Sequence, residues 1–138
     1  MIHKVLDGKH VWVGCFVFKG SKIVLLFNED KKRWEIPGGK VQEGQEIKEA
    51  LKEGLKKDLG SEIVLDELED FGETDFITAS GKKCKGFVFL TRVLKGEVSL
   101  DEPDVLSDYK YVDLEELDKY PISNVLKSLI KKFNVSPV

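Results

Sequence analysis

The stretch of residues 34–60 constrains this chain more than any other, because it prescribes a strand, a turn and a helix in direct succession. It reads WEIPGGKVQEGQEIKEALKEGLKKDLG. Trp34 and Ile36 share one face of a predicted strand, because side chains two positions apart point the same way. Pro37 ends that strand, and the two glycines after it permit positive φ angles or a close approach of backbone to a ligand. A strand therefore leads through a Pro-Gly-Gly turn towards the helix.

The second half of the stretch predicts an amphipathic helix closed by Gly60. Its apolar residues recur at helical spacing and are Ile47, Ala50, Leu51, Leu55 and Leu59. Gly54 and Asp58 interrupt this face, since both lie near the middle of the apolar arc. A glycine inside a helix costs roughly 1 kcal/mol relative to alanine, and a buried carboxylate without a partner costs more. Two explanations stay open: Asp58 reaches solvent near the helix end, or this face meets a polar site.

These residues resemble the signature of the Nudix family of pyrophosphohydrolases. That signature reads G-x5-E-x7-R-E-U-x-E-E-x-G-U, where U is aliphatic, and W-x-x-P-G-G often precedes it. The scaffold positions that match are Trp34, Pro37, Gly38, Gly39, Ala50, Leu55 and Gly60. The resemblance extends over about residues 10–133 and is specific only in this stretch.

Most charged positions of the signature depart from the family pattern. They are the first glutamate, the Arg-Glu pair and the Glu-Glu pair, and the final aliphatic position departs as well. The residues found there are, in order, Gln45, Glu53, Gly54, Lys57, Asp58 and Ser61. The scaffold half of the signature is present, and most of its chemical half is replaced.

The resemblance implies a metal site built around Asp58. In the family, glutamates of this helix and the carbonyl of the second glycine hold Mg²⁺ or Mn²⁺, which neutralises phosphate oxygens and activates a water. The corresponding candidate ligands are Asp58 and the carbonyl of Gly39, with Glu43 as an additional ligand from the adjacent loop. The alternative for Glu43 is a solvated surface position. Asp58 and Glu53 are the candidate catalytic residues.

The candidate substrate-binding residues are Trp34, Gly38, Gly39 and Lys57. Lys57 occupies a position where the family has a ligand glutamate, so its ammonium group would be placed to bind phosphate directly, without metal. The alternative is a solvated Lys57 paired with Glu53 one helical turn earlier. Trp34 would stack on a base, or else it packs in the core.

An acidic segment, GEVSLDEPDVLSD at residues 96–108, supplies further carboxylates. In Nudix enzymes a glutamate from a loop in this part of the chain often acts as the general base. Asp101, Glu102 and Asp104 are available for that role. The alternative is a solvated acidic loop.

The remaining apolar pattern predicts a mixed sheet. Between His10 and Phe18, two apolar sets alternate, which indicates a central strand buried on both faces. Ser123 is a suitable N-cap for a last amphipathic helix. We therefore expect one Nudix-like domain, residues 1–138, of the α/β class, with a mixed β-sheet sandwiched between helices. Further strands are predicted around residues 23–27, 63–68, 71–79, 85–94 and 109–112.

Composition narrows the choice of partners. The 138 residues carry 22 Lys and Arg against 25 Asp and Glu, a net charge of −3, so generic nucleic-acid binding is not expected. Neither a signal segment nor an apolar run long enough to span a membrane is present. Cys15 and Cys84 lack metal-ligand spacing. We expect a reduced, cytoplasmic protein that binds a nucleotide-type small molecule. The family often forms homodimers, but nothing in the sequence identifies an interface.

Two functions remain open on these grounds. The first is a Nudix-type hydrolase of a nucleoside diphosphate linked to another group, dependent on Mg²⁺ or Mn²⁺. The second is a non-catalytic module of the same fold that binds a nucleotide or another protein, without a metal cofactor. Replacement of the signature carboxylates favours the second, and Asp58 favours the first.

Overall fold

The computed structural model describes residues 2–133, which form a nine-stranded sheet with helices on both faces. The strands are β1 (Val5–Leu6), β2 (Lys9–Lys19), β3 (Lys22–Asn28), β4 (Arg33–Glu35), β5 (Gly38–Lys40), β6 (Ile63–Leu65), β7 (Glu69–Ile77), β8 (Lys83–Gly96) and β9 (Leu106–Asp113). The helices are α1 (Ile47–Leu59), a 3₁₀ helix (Leu114–Lys119) and α2 (Asn124–Phe133).

Strand β2 lies at the centre and is buried on both faces, as its sequence predicts. Alternate residues point to opposite sides of a strand, so each set joins a different core. The cluster on the α1 side includes Val11, Val13, Cys15, Val17, Ala50, Leu51, Leu55 and Leu59. The cluster on the α2 side includes Phe16, Phe18, Trp34, Ile36, Val125, Leu126 and Leu129. The predicted α/β class, with a sheet between helices, is confirmed.

The sheet is mixed because β2 pairs in parallel with β8, from His10 opposite Cys84 to Phe18 opposite Arg92. The other strand pairs are antiparallel, and the main path runs β4-β3-β2-β8-β6. Strand β9 pairs with β3, and β7 pairs with β8. Strand β5 pairs with the N-terminal half of β2, and β4 pairs with the end of β3.

The glycine pair differs from its prediction as a simple turn. Gly38–Lys40 forms β5, which pairs with residues 12–14 of β2. Strands β2 and β3, both predicted, pair with each other only beside the turn that joins them, where Phe18 faces Ile23 and Lys19 faces Lys22. The edge of β2 that faces away from β8 is thus shared by β1, β5 and β3.

Helix α2 begins as predicted, since the backbone N–H of Leu126 donates to Oγ of Ser123 across 3.2 Å. Helix α1 spans the predicted residues, and the backbone N–H of Gly60 donates to the carbonyl of Lys56. Within residues 2–133, no helix is both long enough and apolar enough to cross a membrane.

Candidate active site

Gly38 is required by the backbone of the turn into β5. Its φ is +151°, and a Cβ at this position would lie 2.1 Å from the carbonyl oxygen of Val13. A side chain would therefore clash with β2 and would also disfavour this conformation. The glycine allows the chain to approach the edge of the central strand closely enough to pair with it.

Gly54 explains one irregularity of helix α1. A Cβ at Gly54 would lie 3.2 Å from the carbonyl oxygen of Gly38. The absence of a side chain lets α1 rest against the backbone of β5, which offsets the intrinsic cost of a glycine inside a helix. This contact fixes the residues one turn later on α1 relative to the glycine turn.

Asp58 lies one turn beyond Gly54 and points at the same turn. Its Oδ2 accepts a hydrogen bond from the backbone N–H of Gly38 at 3.1 Å. Burial raises the pKa of Asp58 to about 6, the Gly38 hydrogen bond and Lys57 oppose the rise, and the carboxylates of Glu35 and Glu102 add to it. Of the two explanations for Asp58, the polar site agrees with this geometry.

An acidic cleft of about 240 Å³ opens beside Asp58. Four carboxylates from three segments line it, and one cation joins them at the end of α1. These charged residues are Glu35, Lys57, Asp58, Asp101 and Glu102. Gly38 and Gly39 contribute backbone to its wall, and Trp12 and Leu100 are among its apolar residues. The cleft therefore combines hard oxygen donors with one ammonium group.

Four of the residues predicted as metal ligands or substrate contacts line the acidic cleft: Gly38, Gly39, Lys57 and Asp58. No ion pair joins Lys57 to Glu53 among the residues that the structure describes. Lys57 instead acts on the Asp58 carboxylate, whose pKa it lowers against the larger effect of burial.

Trp34 lies in the core between the sheet and α2. It is 7% exposed, and its ring makes edge contacts with Phe27 and Tyr120. Its backbone N–H donates to the carbonyl of Pro121. The surroundings of Trp34 agree with the packing alternative.

Glu43 and Glu53 lie outside the acidic cleft. Glu43 is exposed in the loop after β5, and its backbone N–H donates to the carbonyl of Ile2. Glu53 is exposed on α1 and accepts a hydrogen bond from Nε2 of Gln45 at 2.9 Å. Gln45 and Glu53 both depart from the signature, and their contact ties the loop to the helix.

The acidic segment contributes two of its three candidate carboxylates. Asp101 and Glu102 line the cleft, and Asp104 lies outside it. Sequence reasoning missed Glu35 and Trp12, which also line it. Glu35 was detectable, because it stands between Trp34 and Ile36, whose side chains point into the core from the same face of the strand.

The donor set suits a divalent cation that arrives with its own phosphate ligands. Mg²⁺ prefers hard oxygens and usually takes one or two carboxylates together with substrate phosphates. The carboxylates of Glu35 and Glu102 repel the carboxylate of Asp58, and a bound cation would relieve this repulsion. However, no group of three metal-ligating side chains is assembled within residues 2–133. The residues therefore suit an ion that the phosphates of a substrate also coordinate. They do not form a complete metal site by themselves.

Comparisons with known proteins agree with this architecture. The nucleoside triphosphatase NudI of Escherichia coli strain K12 is 27% identical over 107 residues, which cover 72% of this chain and 74% of that protein. A MutT NUDIX hydrolase from Burkholderia pseudomallei superimposes with a TM-score of 0.77 at 23% identity, over 88% of this chain and 95% of that one. The MutT protein from Methanosarcina mazei Go1 gives 0.75 at 21% identity, over 94% and 96%.

The family comparison covers nearly the whole chain. The model of the NUDIX domain matches residues 8–133, which contain the sheet from β2 onwards, both α-helices and the acidic cleft. On this match, the chain belongs to the Nudix family.

Proposed function

We propose that this protein hydrolyses a nucleoside diphosphate linked to another group, with the diphosphate bound in the acidic cleft. The observation that carries the proposal is Asp58, a carboxylate fixed by the Gly38 N–H and facing Glu35 and Glu102. The similarity to a protein named nucleoside triphosphatase supports a nucleotide substrate, because a nucleoside triphosphate is itself a nucleoside diphosphate linked to a phosphate.

Each residue of the cleft has a separate role in this proposal. Asp58 and the carbonyl of Gly39 would hold a Mg²⁺ or Mn²⁺ ion together with the substrate. When bound, such an ion neutralises phosphate oxygens and lowers the pKa of a water. Lys57 contacts the phosphate oxygens as a point charge. Glu102 takes the proton from the attacking water, since it lines the cleft on a segment separate from α1.

The test is metal-dependent turnover of a substrate panel. ADP-ribose, nucleoside triphosphates and dinucleoside polyphosphates are each incubated with Mg²⁺, with Mn²⁺ and with chelator, and nucleoside monophosphate or phosphate release is measured. Asp58→Asn retains a hydrogen-bond acceptor for Gly38 and should abolish turnover. Asp104→Asn removes an exposed carboxylate outside the cleft and is the matched control. Absence of turnover with every metal would overturn the proposal for these substrates.

A second candidate, a nucleotide-binding module without catalysis, is favoured by Lys57. This cation stands in the cleft at a position where the family has a ligand glutamate. A binding module should retain nucleotide in chelator, and Lys57→Ala should weaken that binding. Metal-dependent release of products would decide for the hydrolase.

A further inference from the structure

A second cavity of about 580 Å³ adjoins the acidic cleft. The two share Trp12 and Glu35 as lining residues, so they lie side by side. We call it the basic cavity. It is bounded by the ends of β4 and β5, by the turn between β7 and β8, and by Ser123 and Asn124 at the start of α2.

Two aromatic rings form the apolar wall of the basic cavity. Trp12 and Phe76 meet edge to face, with ring centroids 6.2 Å apart. Glycines on neighbouring strands make room for both rings. A Cβ at Gly14 would lie 2.8 Å from the Trp12 ring, and a Cβ at Gly86 would lie 3.2 Å from Phe76. The wall therefore depends on two positions where the sheet lacks side chains.

Four cations from three segments line the basic cavity. They are Lys31, Arg33, Lys40 and Lys82. Arg33 Nε lies 3.3 Å from Oε1 of Glu35. Within residues 2–133, no carboxylate forms an ion pair with Lys31, Lys40 or Lys82. The cavity thus holds an excess of positive charge that the protein does not neutralise by direct contacts.

The charge of the basic cavity runs against that of the chain and of the neighbouring cleft. The chain carries a net charge of −3, and the acidic cleft has four carboxylates against one lysine. The basic cavity has four cations against Glu35 alone. Lys82 and Lys40 also reinforce the effect of burial in lowering the pKa of His10, which indicates that their positive fields overlap.

Positive charge collected in a concave site attracts an anion, and lysines bind phosphate as point charges. A ligand with one diphosphate and no other charge would leave these lysines without a partner. We propose that the basic cavity binds a second phosphate of the substrate, one that is separate from the diphosphate in the acidic cleft. This inference rests on the proposed function for the position of the diphosphate. The substrate class is a nucleoside diphosphate derivative that carries an additional phosphate monoester.

Two pairs of probes differ by this one phosphate. Coenzyme A and 3′-dephospho-coenzyme A share the same diphosphate linkage, and so do NADPH and NADH. Dissociation constants for all four are measured by calorimetry with Mg²⁺ on the Glu102→Gln variant, which keeps the proposed metal ligands and removes the proposed general base, so that turnover does not interfere; turnover is measured separately on the wild-type protein. The phosphorylated member of at least one pair should bind about tenfold more tightly, which is the scale of one charge-assisted contact.

The double variant Lys40→Ala/Lys82→Ala should reduce that preference to less than twofold. The matched control is Lys48→Ala/Lys127→Ala, which removes the same charge from exposed positions on α1 and α2, outside both cavities. The control should keep the full preference.

The outcomes separate this inference from the proposed function. Equal binding within both pairs, or a preference that survives in the Lys40/Lys82 variant, would overturn the inference even if metal-dependent turnover is found. A preference lost only in that variant, without turnover of any probe when Mg²⁺ or Mn²⁺ is supplied, would support the inference and count against hydrolysis. No measurable binding of any of the four probes would overturn the inference.

Discussion

The backbone N–H of Gly38 donates to the carboxylate of Asp58 across 3.1 Å, and this bond joins the end of α1 to the start of β5. It stabilises the ionised carboxylate. Burial nevertheless has the larger effect, because the pKa of Asp58 rises from 3.8 to about 6. The site thus contains a carboxylate that is oriented for use and destabilised when charged.

The first prediction concerns the pH dependence of stability. Because the folded pKa of Asp58 exceeds its unfolded value, the ionised group costs stability above about pH 6, and the cost is relieved as the pH falls through 6 towards 4. Asp58→Asn removes this cost. The difference in free energy of unfolding, variant minus wild type, should therefore be about 2 kcal/mol smaller at pH 4.5 than at pH 7.5. Urea denaturation in chelator measures the difference.

Asp104→Asn is again the comparison, since Asp104 is exposed in the segment after β8. Titrations elsewhere in the chain cancel between wild type and variant. A stability difference for Asp58→Asn that stays constant across this pH range would contradict the burial of a charged Asp58.

The second prediction concerns Lys57. Lys57→Glu replaces the single cation of the acidic cleft with a carboxylate beside Asp58. Affinity for Mn²⁺ should rise by about tenfold, corresponding to roughly 1.4 kcal/mol. Calorimetry with Mn²⁺ and no nucleotide is the measurement. Lys56→Glu makes the same charge change one residue away, outside the acidic cleft, and equal gains in both variants would show a general electrostatic effect instead.

The third prediction compares two adjacent glycines. Gly38→Ala places a Cβ 2.1 Å from the carbonyl oxygen of Val13, whereas a Cβ at Gly39 meets nothing within 4 Å. Gly38→Ala should lower the free energy of unfolding by about 3 kcal/mol or more, and Gly39→Ala by less than about 1 kcal/mol. Denaturant midpoints of the two variants test this, and similar losses would mean that the close approach of Gly38 to β2 is not the cause.

The fourth prediction concerns the contact between Gln45 and Glu53. Nε2 of Gln45 donates to Glu53, and Oε1 of Gln45 accepts the backbone N–H of Gln42 at 3.1 Å. A double-mutant cycle of Gln45→Ala and Glu53→Ala should give a coupling of about 0.5–1 kcal/mol, as expected for an exposed hydrogen bond to a charged group. Purely additive losses of stability would show that the two positions act independently.

The sequence predicts the framework where side chains have a periodic pattern. The alternation along β2 and the apolar positions of α1 led to the correct strand, helix and layers, because burial enforces both periods. Strand β5 was missed as a strand, since Gly38 and Gly39 have no side chains to show a pattern. Its pairing with β2 is visible only in three dimensions.

The candidate site was predictable only in part. Asp58 stood out because it interrupts an apolar face, and the glycines stood out as a turn. Lys31, Lys40 and Lys82 carry no local signal, since surface lysines are common and these three come from separate segments. Charge that converges from distant parts of a chain has no spacing that a sequence can reveal.

The parallel pairing of β2 and β8 also has a consequence for folding kinetics. It joins His10 to Cys84 and Phe18 to Arg92, so the centre of the sheet closes only after a long loop has lost its freedom. Such non-local topology slows folding relative to chains dominated by local contacts. Helix α1 and the antiparallel β7–β8 pair are more local in sequence. Core substitutions at the contact between β2 and β8 should therefore show when this pairing forms during folding. If they slow refolding, the pairing is already formed in the transition state. If they only speed unfolding, the pairing forms after it.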